Sequence, residues 1–220
     1  MSESRPSSGG TLYIVGTPIG NLEDITRRAE AVLKEANLCA CEDTRQSRKL
    51  LNHLGANPKL LSCRSQNEEA CAVPVIEALQ EGSDVAYLTD AGTPGVSDPG
   101  ARLVQRVREA GFPVVPIPGV SALTALISVA GLVGGSFSFH GFLSPKAGRR
   151  RNRLRELLDR EESFVLYESP HRLLKLLEDL GQLAPGVTVT VGRELTKIHE
   201  EELQGTPERL LEELRGRDRS

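Results

Sequence analysis

Three loops of glycine and proline constrain this chain more than any other feature, because each follows a short apolar run and precedes a helical pattern. Gly16-Thr17-Pro18-Ile19-Gly20-Asn21-Leu22 follows TLYIV, Thr89 to Gly100 (TDAGTPGVSDPG) follows DVAYL, and Pro118-Gly119-Val120-Ser121-Ala122 follows PVVPI. Apolar runs of four or five residues ended by glycine read as buried strands. Alternation with helices then predicts a mostly parallel sheet covered on both faces. In such sheets ligands bind outside the carboxyl ends of the strands. Glycine there lets backbone groups approach a ligand without a Cβ in the way, and a following helix adds unpaired N–H donors. A single loop of this kind is a turn; three at successive strand ends point to a ligand site.

The rest of the chain fits that frame. Strands are expected at 11–15, 38–41, 59–62, 84–89, 113–117, 136–142, 163–167 and 187–191, with 199–204 pairing beside the last. Helices are expected at 25–36 (capped by Asn21 or Asp24), 44–54, 67–80, 99–110, 121–133, 152–158, 170–180 and 207–214, the last capped by Thr206. The polar start, residues 1–10, reads as a disordered tail, 11–118 as an N-terminal α/β domain and 119–220 as a C-terminal α/β domain. From Ala110 to Pro145 there is no Asp, Glu, Lys or Arg. Prolines and glycines interrupt that stretch, so its helix is too short for the ~20 residues a membrane span needs, and full burial is expected instead. Cys39, Cys41, Cys63 and Cys71 lack a structural-zinc spacing and read as reduced, buried cytosolic thiols. No metal site is expected.

The loops are neither a G-x-x-x-x-G-K-[ST] phosphate loop nor a G-x-G-x-x-G dinucleotide turn. Asp90 and Asp98 flank the second loop, where carboxylates suit a hydroxyl-bearing or cationic ligand better than a polyphosphate; Asp98 also reads as an N-cap for the next helix. The other chemical signal is charge. Net charge is -3, yet Lys146, Arg149, Arg150, Arg151, Arg153 and Arg155 crowd a Pro- and Gly-rich loop with no acid until Glu156. Such a patch suits the phosphate backbone of a nucleic acid, and Arg45 is a candidate extension of it. With 5 Phe, 3 Tyr and no Trp, a broad aromatic platform is not expected. No Ser-His-Asp arrangement or metal cluster emerges from the four histidines.

The strings GTPIGNLEDIT, CEDTR, LTDAGTPGVSDPG, IPGVSAL, FHGFLSPK, LYESPHR and GRELTK, in that order, resemble the tetrapyrrole methylase superfamily, and most closely its branch that 2′-O-methylates a cytidine ribose in small-subunit (16S) ribosomal RNA. The resemblance implies two α/β domains with a ligand cleft between them, a non-Rossmann S-adenosylmethionine fold, and a cytoplasmic homodimer acting on the small ribosomal subunit, with no role for DNA or membrane. Carried over by motif, the cofactor contacts are Pro18, Asp90, Ala91, Gly92, Thr93, Val96, Ser121, Ala122, Tyr167, Glu168, Leu195 and Thr196. Arg45, Lys146, Arg149, Arg150, Arg151 and Arg153 are the RNA candidates. Asp24, Glu168 and His171 are open choices for a proton acceptor, and Lys197 or Arg45 for stabilising an oxyanion; no catalytic residue is assigned. The alternative is a methyltransferase of a tetrapyrrole or other small molecule. Family members continue past TPERLLEEL into a strand beginning KGE, so the C-terminal domain is expected to be shortened and its sheet to lack an edge strand.

Overall fold

The computed structural model describes residues 9–132 and 135–217. The chain divides into two compact units, Met1–Ala122 and Leu123–Ser220. Residues 1–8 of the expected tail lie outside the described residues, but Gly10 is not tail: it is buried and donates its N–H to Leu79 O at 2.8 Å. A Cβ there would stand 1.9 Å from Ser83 O, so only glycine fits this entry into the sheet.

In the first unit β1 (Leu12–Val15), β2 (Leu38–Cys41), β3 (Lys59–Ser62), β4 (Val85–Leu88) and β5 (Val114–Ile117) form a parallel sheet in the order β3-β2-β4-β1-β5. Every residue of β2 and β4 is buried, the mark of a sheet covered on both faces. Strand alternation sorts the core. Val15, Cys39, Cys41, Ala86, Leu88 and Ile117 meet α1 (Arg27–Glu35) and α2 (Thr44–Leu54) through Ala29, Leu33, Leu50, Leu51 and Leu54. Leu12, Leu38, Ala40, Val85 and Tyr87 meet α3 (Glu68–Gln80) and α4 (Ala101–Glu109) through Val75, Leu79, Leu103 and Val107. Cys39 and Cys41 therefore sit on one side of the sheet, and Cys63 and Cys71 on the other. The four thiols are core filling and do not converge.

Two caps differ from expectation. Asn21 accepts from Glu23 N–H and starts a single 3-10 turn, Leu22–Asp24, while Thr26, in extended conformation, caps α1 by accepting from Ala29 N–H at 3.2 Å. Asp98 does not cap α4. Gly100 occupies that position at φ +125° with the Tyr87 ring where a Cβ would go, and Glu68 of α3 caps the helix from a distance. Its buried carboxylate accepts from the N–H groups of Arg102 at 3.0 Å and Leu103 at 3.3 Å.

The second unit contains α5 (Ala122–Val129), β6 (Phe137–Phe142), α6 (Ala147–Leu158), β7 (Ser163–Tyr167), α7 (Pro170–Leu183), β8 (Val189–Arg193), β9 (Glu201–Gly205) and α8 (Pro207–Arg217). β6 and β7 pair in parallel, β8 and β9 antiparallel. Two-stranded ribbons are marginal by themselves. Here Leu177, Val191, Leu203, Leu210, Leu211 and Leu214 form one core cluster, and Leu143, Leu154, Leu176 and Leu180 another. α5 corrects the reading of a fully buried helix: none of its residues is buried, and Val129 is 54% exposed. A run without charges is not thereby a core run, since much protein surface is apolar. Among the described residues no helix is long and apolar enough to cross a membrane.

The basic tract is corrected too. It belongs to α6, which begins at Ala147, and helical periodicity turns Arg150, Leu154 and Leu157 inward. Arg150 gives Nε and Nη2 to Asp179 Oδ2, both at 2.7 Å, and Nη1 to Pro145 O at 3.4 Å. Arg151 Nε reaches the other carboxylate oxygen at 2.6 Å. Arg150 is thus a structural cation, removed from any RNA surface. Truncating one partner of a buried pair strands the other charge, so Asp179→Ala is expected to cost about 3–5 kcal/mol. Chemical denaturation checks this against Arg149→Ala, an exposed change on the same helix expected to stay within about 0.5 kcal/mol.

Candidate functional site

In the first unit, β1 and β4 are neighbours, and the chain leaves them in opposite directions. After β1 it crosses one face through α1 to β2; after β4 it crosses the other through α4 to β5. This is a topological switch point, where open α/β sheets bind ligands. The first two loops meet there. Thr17 N–H donates to Gly92 O at 2.8 Å, and Gly92 N–H donates back to Thr17 O at 3.1 Å. The Thr17 hydroxyl, 2% exposed, lies 3.5 Å from Thr89 O and 3.4 Å from Gly92 O. The third loop is tied in by Thr93 Oγ1, which donates to Val120 O at 3.1 Å, and by Thr26 Oγ1, which donates to Pro118 O at 3.3 Å. Gly16 and Gly119 touch through their backbones: a Cβ on Gly119 would stand 2.6 Å from Gly16 O.

Gly92 itself is buried at φ +81°, where a Cβ would meet only Ile19 Cγ2 at 3.5 Å and Val120 O at 3.8 Å. Its positive φ and its paired bonds to Thr17 require glycine there, not crowding. Pro18 is buried beside this bridge, while Asp90 and Ala91 are exposed and Thr93, Val96, Ser121 and Ala122 are half-buried. Ser97, a non-glycine at φ +64°, marks local strain in the second loop.

Carboxylates gather at the same strand ends. Asp90 Oδ1 accepts from Asp43 N–H at 3.1 Å. Burial pushes the Asp98 carboxyl above its ordinary range, and the Asp90 charge adds to this. Burial does the same to Glu42, reinforced by Asp90 and Asp98. Asp24, at the end of the first loop, has a buried Oδ2 without a hydrogen-bond partner among the described residues.

In the second unit Tyr167 Oη accepts from Leu123 N–H at 3.2 Å, at the start of α5. Glu168 is fully engaged. Oε1 accepts from Ser169 N–H at 2.8 Å, and Oε2 pairs with Arg172 at 3.0 Å. These bonds anchor the start of α7. Leu195 packs against Gly192 together with Leu126 of α5. Thr196 adopts φ +70°, an outlier for a β-branched residue, and gives its N–H to the Glu200 carboxylate. Lys197 pairs with Glu194 at 3.2 Å, and His171 is exposed in the first turn of α7.

The cations of α6 divide. Lys146 and Arg149 are exposed and form no ion pair among the described residues, Arg151 shares Asp179, and Arg153 pairs with Glu156 at 2.6 Å while lying 3.2 Å from His140 Nδ1. Burial and the Arg153 charge hold His140 below its usual value. Arg45 is exposed in the first turn of α2, in the first unit. Sequence reasoning missed Glu68 and Asp179, whose roles come from long-range partners that spacing does not encode.

Comparison with known proteins gives the family. Residues 11–211 match the family described as Tetrapyrrole (Corrin/Porphyrin) Methylases. A Ribosomal RNA small subunit methyltransferase I from Neisseria meningitidis serogroup B is 48% identical over 198 residues, covering 90% of this chain and 68% of that one. The protein of the same name from Coprothermobacter proteolyticus is 45% identical over 202 residues, 92% of each chain. Uroporphyrin III C-methyl transferase from Thermus thermophilus superposes with TM-score 0.64 at 21% identity, over 93% of this chain and 91% of that one, a likeness of fold alone. With a match spanning nearly its whole length and relatives at this level of identity, the chain belongs to the tetrapyrrole methylase family, among the relatives of ribosomal RNA small subunit methyltransferase I.

Proposed function

We propose that this protein is an S-adenosylmethionine-dependent methyltransferase that 2′-O-methylates a cytidine ribose in the 16S RNA of the small ribosomal subunit. The observation that carries the reading is the set of stitched loops at the β1/β4 switch point, in a chain 48% identical to a Ribosomal RNA small subunit methyltransferase I. The residues there fit the cofactor. Asp90 offers an exposed carboxylate, Glu42 and Asp98 add negative charge, and around Gly95 nothing lies within 4 Å of where a Cβ would be. A cation bearing sugar hydroxyls suits such a surface. When bound, S-adenosylmethionine supplies a methyl group activated on a cationic sulfur.

Pro18, Asp90, Ala91, Gly92, Thr93, Val96, Ser121 and Ala122 of the first unit are proposed to hold it; Tyr167, Glu168, Leu195 and Thr196 are the second unit's own candidate contacts. The strain at Ser97 and Thr196 supports this, because non-glycine residues held at positive φ cluster at functional sites. Asp24 is the proposed acceptor of the ribose hydroxyl proton, supported by its buried, unpartnered oxygen. The RNA surface is proposed to centre on Lys146 and Arg149, with Arg151, Arg153 and Arg45 secondary. A cytoplasmic homodimer is the proposed setting; the buried free thiols suit a reducing compartment, and exposed Val129 and Leu132 suit contact with a second copy.

Labelled methyl from S-adenosylmethionine should pass to 30S subunits and not to a porphyrinogen; the reverse result would install the small-molecule reading. In the double variant Lys146→Glu, Arg149→Glu, S-adenosylmethionine affinity should hold. The log–log salt slope of RNA binding should fall by about 0.7 to 0.9 for each lost phosphate contact. An unchanged slope would show that these cations are only solvated surface.

The raised carboxyls give a second expectation. Folding holds the Asp98 proton more tightly than the unfolded chain does, so stability falls as pH rises through its raised value, and the ionised carboxylate costs stability at neutral pH. Asp98→Asn should therefore raise the neutral-pH melting temperature, by an amount that shrinks as pH drops into the carboxylate range. The same variant should lose more affinity for S-adenosylmethionine than for its neutral product, S-adenosylhomocysteine. Thermal melts and calorimetry read both effects.

A further inference from the structure

We propose that Phe142, supported by Tyr167, is a stacking platform for one unpaired nucleobase of the RNA, an inference that rests on the ribosomal RNA reading above. The platform is built by an irregular strand. β6 and β7 run in register from Phe137↔Ser163 to Phe139↔Val165, and then the register shifts so that Phe142 faces Tyr167. Three steps on β6 match two on β7, so β6 carries one extra residue. Gly141, at φ +57°, lies within this bulge. Regular alternation would send the side chains of residues 139 and 142 to opposite faces. The bulge instead brings both rings edge-on to Tyr167, with centroids 4.9 Å away for Phe139 and 5.7 Å for Phe142. Bulges re-aim side chains in this way, often beside active sites.

The outer ring stays uncovered: Phe142 is 56% exposed although its edge is packed on Tyr167. The segment that follows is pinned. Leu143 O accepts from Arg172 Nη2 at 2.8 Å, Pro145 O lies 3.4 Å from Arg150 Nη1, and Lys146 N–H reaches Ser144 Oγ at 3.3 Å. A fixed aromatic face costs little ordering on binding. Charge selects the occupant. Lys146, four residues on and within about 14 Å along the chain, and Arg149 are exposed and without ion pairs among the described residues. One open ring beside free cations matches a nucleotide, whose base is flat and whose phosphate is anionic.

The sequence has no Trp, so Phe142→Trp makes a sole tryptophan at the platform, whose emission is read with excitation to the red of the three tyrosines. Its emission should be quenched by a single-stranded RNA containing an unpaired cytidine and not by polyphosphate of equal charge. In methyl transfer, Phe142→Ala should raise KM for 30S subunits about tenfold, the scale of one lost base stack, while Phe142→Tyr and Phe142→Trp stay near wild type. Circular dichroism and S-adenosylmethionine affinity are measured for every variant. Equal quenching by RNA and polyphosphate would overturn the proposal. So would an unchanged KM in Phe142→Ala, a loss of cofactor affinity large enough to explain the KM change, or emission that shifts with protein concentration in the absence of RNA. If wild type methylates no 30S subunit, the parent reading fails, and the RNA-against-polyphosphate quenching still decides the platform.

Discussion

The paired hydrogen bonds between Thr17 and Gly92 are the constraint on which the first unit's site depends. A parallel sheet ends in loops that would otherwise wave independently, and a ligand binding to them would have to order each one. Here the backbone of one loop closes on the next, with donor and acceptor distances of 2.8 and 3.1 Å. That closure demands a left-handed Gly92 and brings Gly16 against Gly119. Thr17 is buried beneath it, its hydroxyl directed at two carbonyls, so polar groups taken out of water are repaid. The result is a rigid rim, from which Asp90 and Ala91 remain exposed.

That rim is not arranged for stability alone. Burial and the Asp90 charge make Asp98 harder to ionise, burial with the charges of Asp90 and Asp98 does the same to Glu42, and Ser97 holds a backbone conformation an L residue resists. Like charges crowded on a partly buried rim are tolerated where a cation is to be bound. The acids that serve structure look different. Glu68 spends its carboxylate on two helix N–H groups, Asp179 on two arginines, and Glu168 on Ser169 and Arg172. The contrast between satisfied and crowded carboxylates separates the scaffold from the proposed site.

Local physics explains what was readable from the residues. The strands 38–41, 59–62 and 163–167 and the helix 44–54 match expectation to the residue, because short apolar runs, Asp43 as cap and Gly55 as stop act within a few positions. The switch-point loops were legible for the same reason. What failed was long-range. Arg150 sits in a run of arginines like its neighbours, and only the approach of α7, carrying Asp179, makes it a core residue. Asp98 has a cap's spacing, but Glu68 reaches α4 from 34 residues away in sequence. The 121–133 run lacks charge, yet α5 is half-exposed, since burial depends on what packs against a helix. Phe142 is placed by a bulge that the sequence marks with no more than a glycine.

Amide hydrogen exchange with and without S-adenosylmethionine tests the central claim, that the stitched loops of the first unit hold the cofactor. Protection should concentrate in residues 16–22 and 89–100 and leave α3 and α4 unchanged. Protection elsewhere with these loops unaffected, or none at saturating cofactor, would contradict it.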